Sequence, residues 1–224
     1  MKKITLLILF FSFYSYTTFA QNKVSGVVTY FFNKYQGDKA DLGAEVYLIP
    51  KDSINEVDFQ LIKDVTKLNS LNSKLSVFTL PTKMETKNYE YYKKQKQKLE
   101  SKDKTNSEKY KYAYEYVENY ELKNTMREKT LTEIKTIESK YDIENIESKA
   151  YQNYVIATIK ASQKTVVDAT GSYNLDCDNG DYYVIIKSKN RKRTNMLEMQ
   201  GQNYFDIITV NKNINISHNF GLYD

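Results

Sequence analysis

The sequence predicts an α+β protein in which two distant flanks build one antiparallel β-sandwich or barrel and a long α-helical insertion separates them. Three observations predict it. Glycine is confined to the flanks: Gly26, Gly37 and Gly43 stand near the start, Gly171, Gly180, Gly201 and Gly221 near the end, and 127 residues without glycine lie between Gly43 and Gly171. Turn-rich β structure needs residues that accept positive φ, whereas a helix loses ~1 kcal/mol for each glycine it contains. The flanks also alternate apolar and polar residues, while the middle repeats its apolar residues at helical spacing.

Met1 to Ala20 reads as a secretory signal. Lys2 and Lys3 precede an apolar stretch, Ile4 to Phe13, and Thr18 and Ala20 sit at −3 and −1 of a cut before Gln21. The stretch is too short to span a bilayer, which takes ~20 residues. No Cys lies near the cut, so a lipid anchor on Cys is not expected. The expected product is exported to the periplasm or the exterior of a bacterium. Removing two lysines leaves 31 basic against 28 acidic side chains, a balance that argues for no particular partner.

The first strand is read from Val24, Gly26, Val28, Tyr30 and Phe32 on one face, with Ser25, Val27, Thr29 and Phe31 on the other. A polar loop, Asn33 to Gly43, leads to a second strand, Ala44 to Ile49, stopped by Pro50. Ser53 and Glu56 form a capping-box pattern, followed by Val57, Leu61, Val65, Leu68 and Leu75 near helical spacing. Thr82 and Glu85 repeat the pattern ahead of a very basic helix that runs to Glu100. Glu108 to Lys140 is the longest helix, about 50 Å if unbroken, with Tyr110, Ala113, Tyr114, Val117, Tyr120, Leu131 and Ile134 as its stripe. A last helix, Ile143 to about Ala161, carries Ile146, Ala150, Tyr154, Ala157 and Ala161 on one face. The β pattern then resumes at Lys164 to Asp168, Tyr173 to Leu175, Tyr182 to Ser188, Tyr204 to Val210 and Asn213 to Phe220. The expected organisation is a signal at 1–20, a discontinuous β domain of 21–50 and 164–224, and an insertion of 51–163 whose helices leave the sheet and return to it.

Two stretches carry a family resemblance. Val24-Ser25-Gly26-Val27-Val28 with Gly43-Ala44-Glu45-Val46-Tyr47-Leu48 resembles the first two strands of carboxypeptidase regulatory-like domains. Thr165-Val166-Val167-Asp168-Ala169-Thr170-Gly171-Ser172-Tyr173-Asn174-Leu175 with Gly180-Asp181-Tyr182-Tyr183-Val184-Ile185-Ile186 resembles their Asp-x-x-Gly-x-Tyr hairpin and the following Gly-x-Tyr strand. The resemblance covers 40 to 50 residues. It implies a Greek-key-type antiparallel sandwich of the transthyretin-like kind, and a non-catalytic accessory or surface module. The long insertion departs from it.

Composition excludes much chemistry. One Cys, Cys177, rules out an intramolecular disulfide framework and a cysteine-rich zinc site, and one His rules out two-histidine metal motifs. His218 shares the phase of Ile214, Ile216 and Phe220 and reads as a core or edge residue. Neither a Gly-x-Ser-x-Gly elbow nor a phosphate-binding glycine loop is present. Asp176, Asp178 and Asp181 form an acidic turn, but Leu175 and Cys177 occupy positions where calcium ligands should stand. No catalytic residue, metal or cofactor is predicted.

The expected function is therefore a structural or protein-interaction module of the bacterial envelope. The insertion is longer than a small sandwich can cover, so part of its stripe should pack helix on helix or face a protein partner or a second copy. Tyr110, Tyr114, Tyr116 and Tyr120 are the candidate contacts on the helices. Lys187, Lys189, Arg191, Lys192 and Arg193 form the densest basic cluster, read as a solvated loop facing anionic envelope glycans or lipid headgroups rather than nucleic acid. The alternative is a carbohydrate-binding module using Tyr30, Tyr47 and Tyr183, although such sites usually add Trp and this chain has none.

Overall fold

The computed structural model describes residues 22–78, 80–141, 144–192 and 201–221, so Met1 to Ala20 and Arg193 lie outside the described residues. The elements are β1 (Asn22–Asn33), β2 (Gly37–Ala40), β3 (Glu45–Pro50), α1 (Glu56–Val77), α2 (Lys83–Glu100), α3 (Glu108–Glu138), α4 (Ile146–Ile159), β4 (Gln163–Val166), β5 (Ser172–Cys177), β6 (Gly180–Lys192), β7 (Gly201–Val210), β8 (Ile214–Asn215) and β9 (His218–Phe220). The α+β class with a helical insertion between paired flanks is the observed one. No helix among the described residues is long and apolar enough to cross a membrane.

The chain divides into two compact units. One comprises the residues up to Thr66 and from Glu147 onward, the other Lys67–Ile146. In the first, β4-β3-β6-β7 form an antiparallel sheet, and β1 pairs antiparallel with β5 through Asn22–Val27 and with β2 through Thr29–Asn33. β8 and β9 instead run parallel to β1, with the same residue offset at Val24↔Ile214 and Val28↔His218. Between these two short strands the Ser217 hydroxyl accepts the Val27 N–H at 3.0 Å, so the edge is continuous where the ladder is interrupted. The expected single last strand, 213–220, is this pair.

The inner faces of both sheets make one core. Val24 and Val28 of β1, Val46 and Leu48 of β3, Tyr173 and Leu175 of β5, Val184 and Ile186 of β6, and Phe220 of β9 pack together with 0–4% of each exposed. Cys177 belongs to the same core as a free thiol, and burial with the nearby Asp178 and Asp176 raises its pKa. His218 stacks on Tyr204 at 4.3 Å and meets Phe220 edge-on, as an edge histidine does.

A second buried layer lies on the opposite face of the four-stranded sheet. Tyr47, Ile49, Tyr183 and Ile185 have the outward phase of β3 and β6, yet all four are buried. The Phe59 ring stacks on Tyr183 at 4.0 Å and meets Phe205 edge-on at 5.9 Å, so the first turns of α1 cover this face. Asn153 of α4 donates to Asp58 of α1 at 3.0 Å, and Ala150, Tyr154 and Ala157 are buried. The helices therefore do not simply leave the sheet: the start of α1 and almost all of α4 belong to the sandwich unit.

Local chemistry explains the boundaries that shift. Ser53 does not cap α1, because a 3-10 turn at Lys51–Ser53 engages its hydroxyl with the Pro50 carbonyl; Asn55 accepts the Val57 N–H in its place. Val57 is consequently 69% exposed, and Phe59, Ile62 and Val65 face the core instead. In the supposed loop at 33–43, the Asn33 side chain accepts the Tyr35 and Gln36 N–H groups and turns the chain back, which makes β2. At Gly171 the φ of +86° and the approach of Val28 O require glycine. Asp168 accepts from the Thr170 hydroxyl and from the Ser172 and Thr170 N–H groups in the same turn, and these bonds, the hydroxyl's first, hold its pKa low.

Asp41, which is fully buried, joins the β2–β3 loop to a bulge in β6. Its carboxylate accepts from the Ser188 hydroxyl, from the Lys189 and Asn190 N–H groups, and from the Asn190 amide at 2.7 Å. Asp41→Ala removes the buried acceptor that joins the loop to the bulge and leaves the buried Ser188 hydroxyl without it, and the expected loss is about 3 kcal/mol of stability by urea denaturation. A loss near zero would show that water replaces the carboxylate.

Two core phenols predict behaviour at high pH. Tyr173 donates to the Ile216 carbonyl at 2.7 Å, and burial drives its pKa up. Burial, then the bond to Asp206, push Tyr204 up to about 12. A folded pKa above the unfolded value, about 10, favours the neutral phenol in the fold. The resulting stability is intact below pH ~10 and falls as pH rises towards ~12. Absorbance titration at 295 nm should show a late fraction of the 21 tyrosines that ionises together with loss of structure. A single transition near the ordinary value, with the fold intact, contradicts this.

Candidate interaction surface on the helical hairpin

The second unit is organised by tyrosine where a helical hairpin ordinarily uses leucine. Thr82 starts α2 with the predicted capping box: its hydroxyl accepts the Glu85 N–H, and Glu85 accepts the Thr82 N–H at 2.7 Å. Ser107 caps α3 by accepting the Tyr110 N–H. Between them Asp103 adopts a left-handed φ of 51° and the Lys104 N–H reaches back to the Leu99 carbonyl, which closes α2 and reverses the chain.

α2 buries no residue completely, and α3 turns small side chains, Ala113 and Val117, into the hairpin. Aromatic rings fill the remaining space. Tyr89 stacks on Tyr120 at 4.3 Å with a 16° interplanar angle, and its hydroxyl donates to Glu121 at 2.7 Å. Tyr92 is surrounded by Tyr91, Tyr112 and Tyr116 at 5.1, 5.3 and 4.7 Å. The hydroxyl tie to Tyr112 raises the pKa of Tyr92, and the bond to Glu100 raises that of Tyr110. Lys96 lies over the Tyr114 ring at 4.6 Å and 3.8 Å from Glu118, while Lys123 lies 3.8 Å from Glu85. Tyrosine suits this packing because the ring supplies contact area and the hydroxyl reaches water or a carboxylate at the rim. Nearer the ends of α1 and α3 the same unit has an aliphatic cluster, Leu68, Leu71, Ile134 and Ile137.

The predicted helical contacts thus separate. Tyr116 and Tyr120 are committed to α2, Tyr110 is bonded to Glu100, and Tyr114 remains 42% exposed. On the hairpin the most exposed rings are Tyr91 and Tyr112, each 57% exposed, and neither is among the predicted contacts. Their signal was present: Tyr112, Leu122 and Met126 repeat at helical spacing outside the main stripe of α3.

The basic cluster is dispersed. Lys187 pairs with Glu45 at 3.9 Å, the Lys189 stem packs beside Gly43, and the Arg191 guanidinium lies over Tyr30 at 5.7 Å. Lys192 pairs through its backbone with Gly201, and Arg193 is outside the described residues. The tyrosines of the carbohydrate reading do not form a platform: Tyr183 is wholly buried under Phe59, Tyr47 is buried and bonded to Glu45, and Tyr30 packs against the sandwich core. In the acidic turn Asp181 accepts from Thr209, and among the described residues no group of three His, Cys, Asp or Glu could share a metal ion.

No family model matches the chain, and no curated protein matches it. Among solved structures it is similar to the pilus backbone protein RrgB of Streptococcus pneumoniae, with 11% identity over 88% of this chain and 40% of that one and a TM-score of 0.22. The full-length major pilin RrgB of the same organism gives 12% identity, 89% and 30% coverage, and a TM-score of 0.23. The chain spans less than half the length of these pilins. Likeness at this level bears on neither fold nor function.

Proposed function

We infer that the chain is an exported, non-catalytic interaction module of the bacterial envelope, in which the sandwich is the scaffold and the α2–α3 hairpin is the working surface. The observation that carries this reading is the pair Tyr91 and Tyr112, half-exposed rings held in place by Tyr92 at the centre of a charged helical face. Ordered aromatic side chains whose other faces are already packed lose little entropy when a partner covers them, which is why Tyr is enriched at binding hot spots. The geometry of the Asp168–Gly171 turn supports, in addition, a sandwich of the carboxypeptidase regulatory-like kind.

The test is a binding measurement against envelope proteins of the producing bacterium, comparing the parent chain with Tyr91→Ala/Tyr112→Ala. The reading predicts a saturable protein partner that the parent retains and the double variant loses by about tenfold or more. Saturable binding to cell-wall polysaccharide, unaffected by the double variant, contradicts it.

A further inference from the structure

We propose that the hairpin pairs with a second copy of this chain, α2 of each copy lying antiparallel along α3 of the other in a four-helix arrangement. The inference rests on the hairpin being the interaction surface and goes on to name its partner.

Each helix carries a second stripe besides the one packed within the hairpin. On α2 it is Met84, Lys87, Tyr91, Lys94 and Lys98; on α3 it is Glu108, Tyr112, Glu115, Asn119, Leu122 and Met126. Every one of these residues is exposed, including Met84 at 72%, Leu122 at 54% and Met126 at 44%. Both stripes advance by alternating steps of three and four residues, the 3.5-residue spacing at which one helix packs along another. The ion pairs inside the hairpin use Glu85, Lys96, Glu118 and Lys123, so both stripes stand outside them. Tyr91 and Tyr112 flank the same ring, Tyr92, which brings the two stripes to one side of the hairpin.

Charge decides the occupant and its orientation. The α2 stripe carries three lysines and no acid, and the α3 stripe carries two glutamates and no base. Stacking two hairpins with α2 on α2 sets lysine against lysine. A two-fold axis parallel to the helices sets α2 on α3 of the other copy, twice and identically, as an isologous interface requires. In that orientation Lys94 and Lys98 fall at the end that holds Glu108 and Glu115, and Met84 falls at the end that holds Leu122 and Met126. Apolar ends meet apolar ends, and opposite charges meet at the other end.

The test is a charge swap on the chain from Gln21 onward, followed by sedimentation equilibrium at low and high salt. One variant carries Lys87→Glu, Lys94→Glu and Lys98→Glu; the other carries Glu108→Lys and Glu115→Lys. All five sites are exposed, and the helical circular dichroism of each variant checks that it is folded. The parent should dimerise, more weakly as salt rises. Each variant alone should dimerise at least about tenfold more weakly, since both of its seams then oppose like charges. Mixing the two should restore dimers, because both seams of the mixed pair regain opposite charges. A monomeric parent, a dimer indifferent to the variants, or a mixture that stays monomeric overturns the proposal. A monomeric parent that still binds an envelope protein through Tyr91 and Tyr112 would overturn self-pairing alone and leave the proposed function in place.

Discussion

Gly26→Ala is expected to cost about 3 kcal/mol or more and to loosen the C-terminal strands from β1. A Cβ at this position would stand 1.8 Å from the Ile216 carbonyl oxygen and 2.6 Å from its carbon, inside any tolerable contact. Neither atom can yield easily. The Ile216 N–H donates to the Ser25 carbonyl at 2.7 Å, and the same Ile216 carbonyl accepts the buried Tyr173 hydroxyl. The methyl group therefore forces β8 and β9 outward, separates Tyr173 from its acceptor, and opens the core around Ile216 and Phe220. Urea denaturation compared with Ser25→Ala as the neighbouring control measures the effect. A Gly26→Ala midpoint close to that control would mean that the terminal strands do not lie against β1 as described.

Phe59→Ala should be the most damaging substitution in the helical segments, at about 3–5 kcal/mol. The ring is 2% exposed and packs on Tyr183 and Phe205, so its removal leaves a cavity against these two buried rings. Val57→Ala, two residues earlier and 69% exposed, should change stability by no more than about 0.5 kcal/mol. The pair reads out which side of α1 meets the sheet. Equal effects at the two positions would place the helix on a different face.

The flanks were legible in the sequence because their alternation is local: Val24, Gly26 and Val28 point inward as read, and Asp168 to Tyr173 makes the turn its residue types require. The cover on the second sheet was less visible. Val46 to Ile49 and Tyr182 to Ile186 are unbroken apolar runs, and such runs mark strands buried on both faces. Reading them as half of a two-layer sandwich left no place for Phe59 or for α4. The cap at Ser53 failed for a different reason, since a side chain engaged by a 3-10 turn cannot also serve the helix that follows. Residues 213–220 were legible as a strand, but their division into β8 and β9 and their parallel pairing with β1 were not, because the Gly26 approach that admits them depends on residues about 190 positions away in the chain. In the hairpin, Tyr120 was legible as part of the packing stripe of α3, but Tyr116, which also packs on α2, lay outside that stripe, since period alone does not tell a helix which of its rings its neighbour will take.

In-cell photocrosslinking addresses the working surface most directly. A photoreactive phenylalanine analogue placed at Tyr91 or Tyr112, with a control at the exposed Asn174 of β5, reports which face meets another protein. The hairpin positions should give discrete higher-mass protein adducts and Asn174 none. Adducts at Asn174 with none at Tyr91 or Tyr112 would contradict the assignment of the hairpin as the working surface.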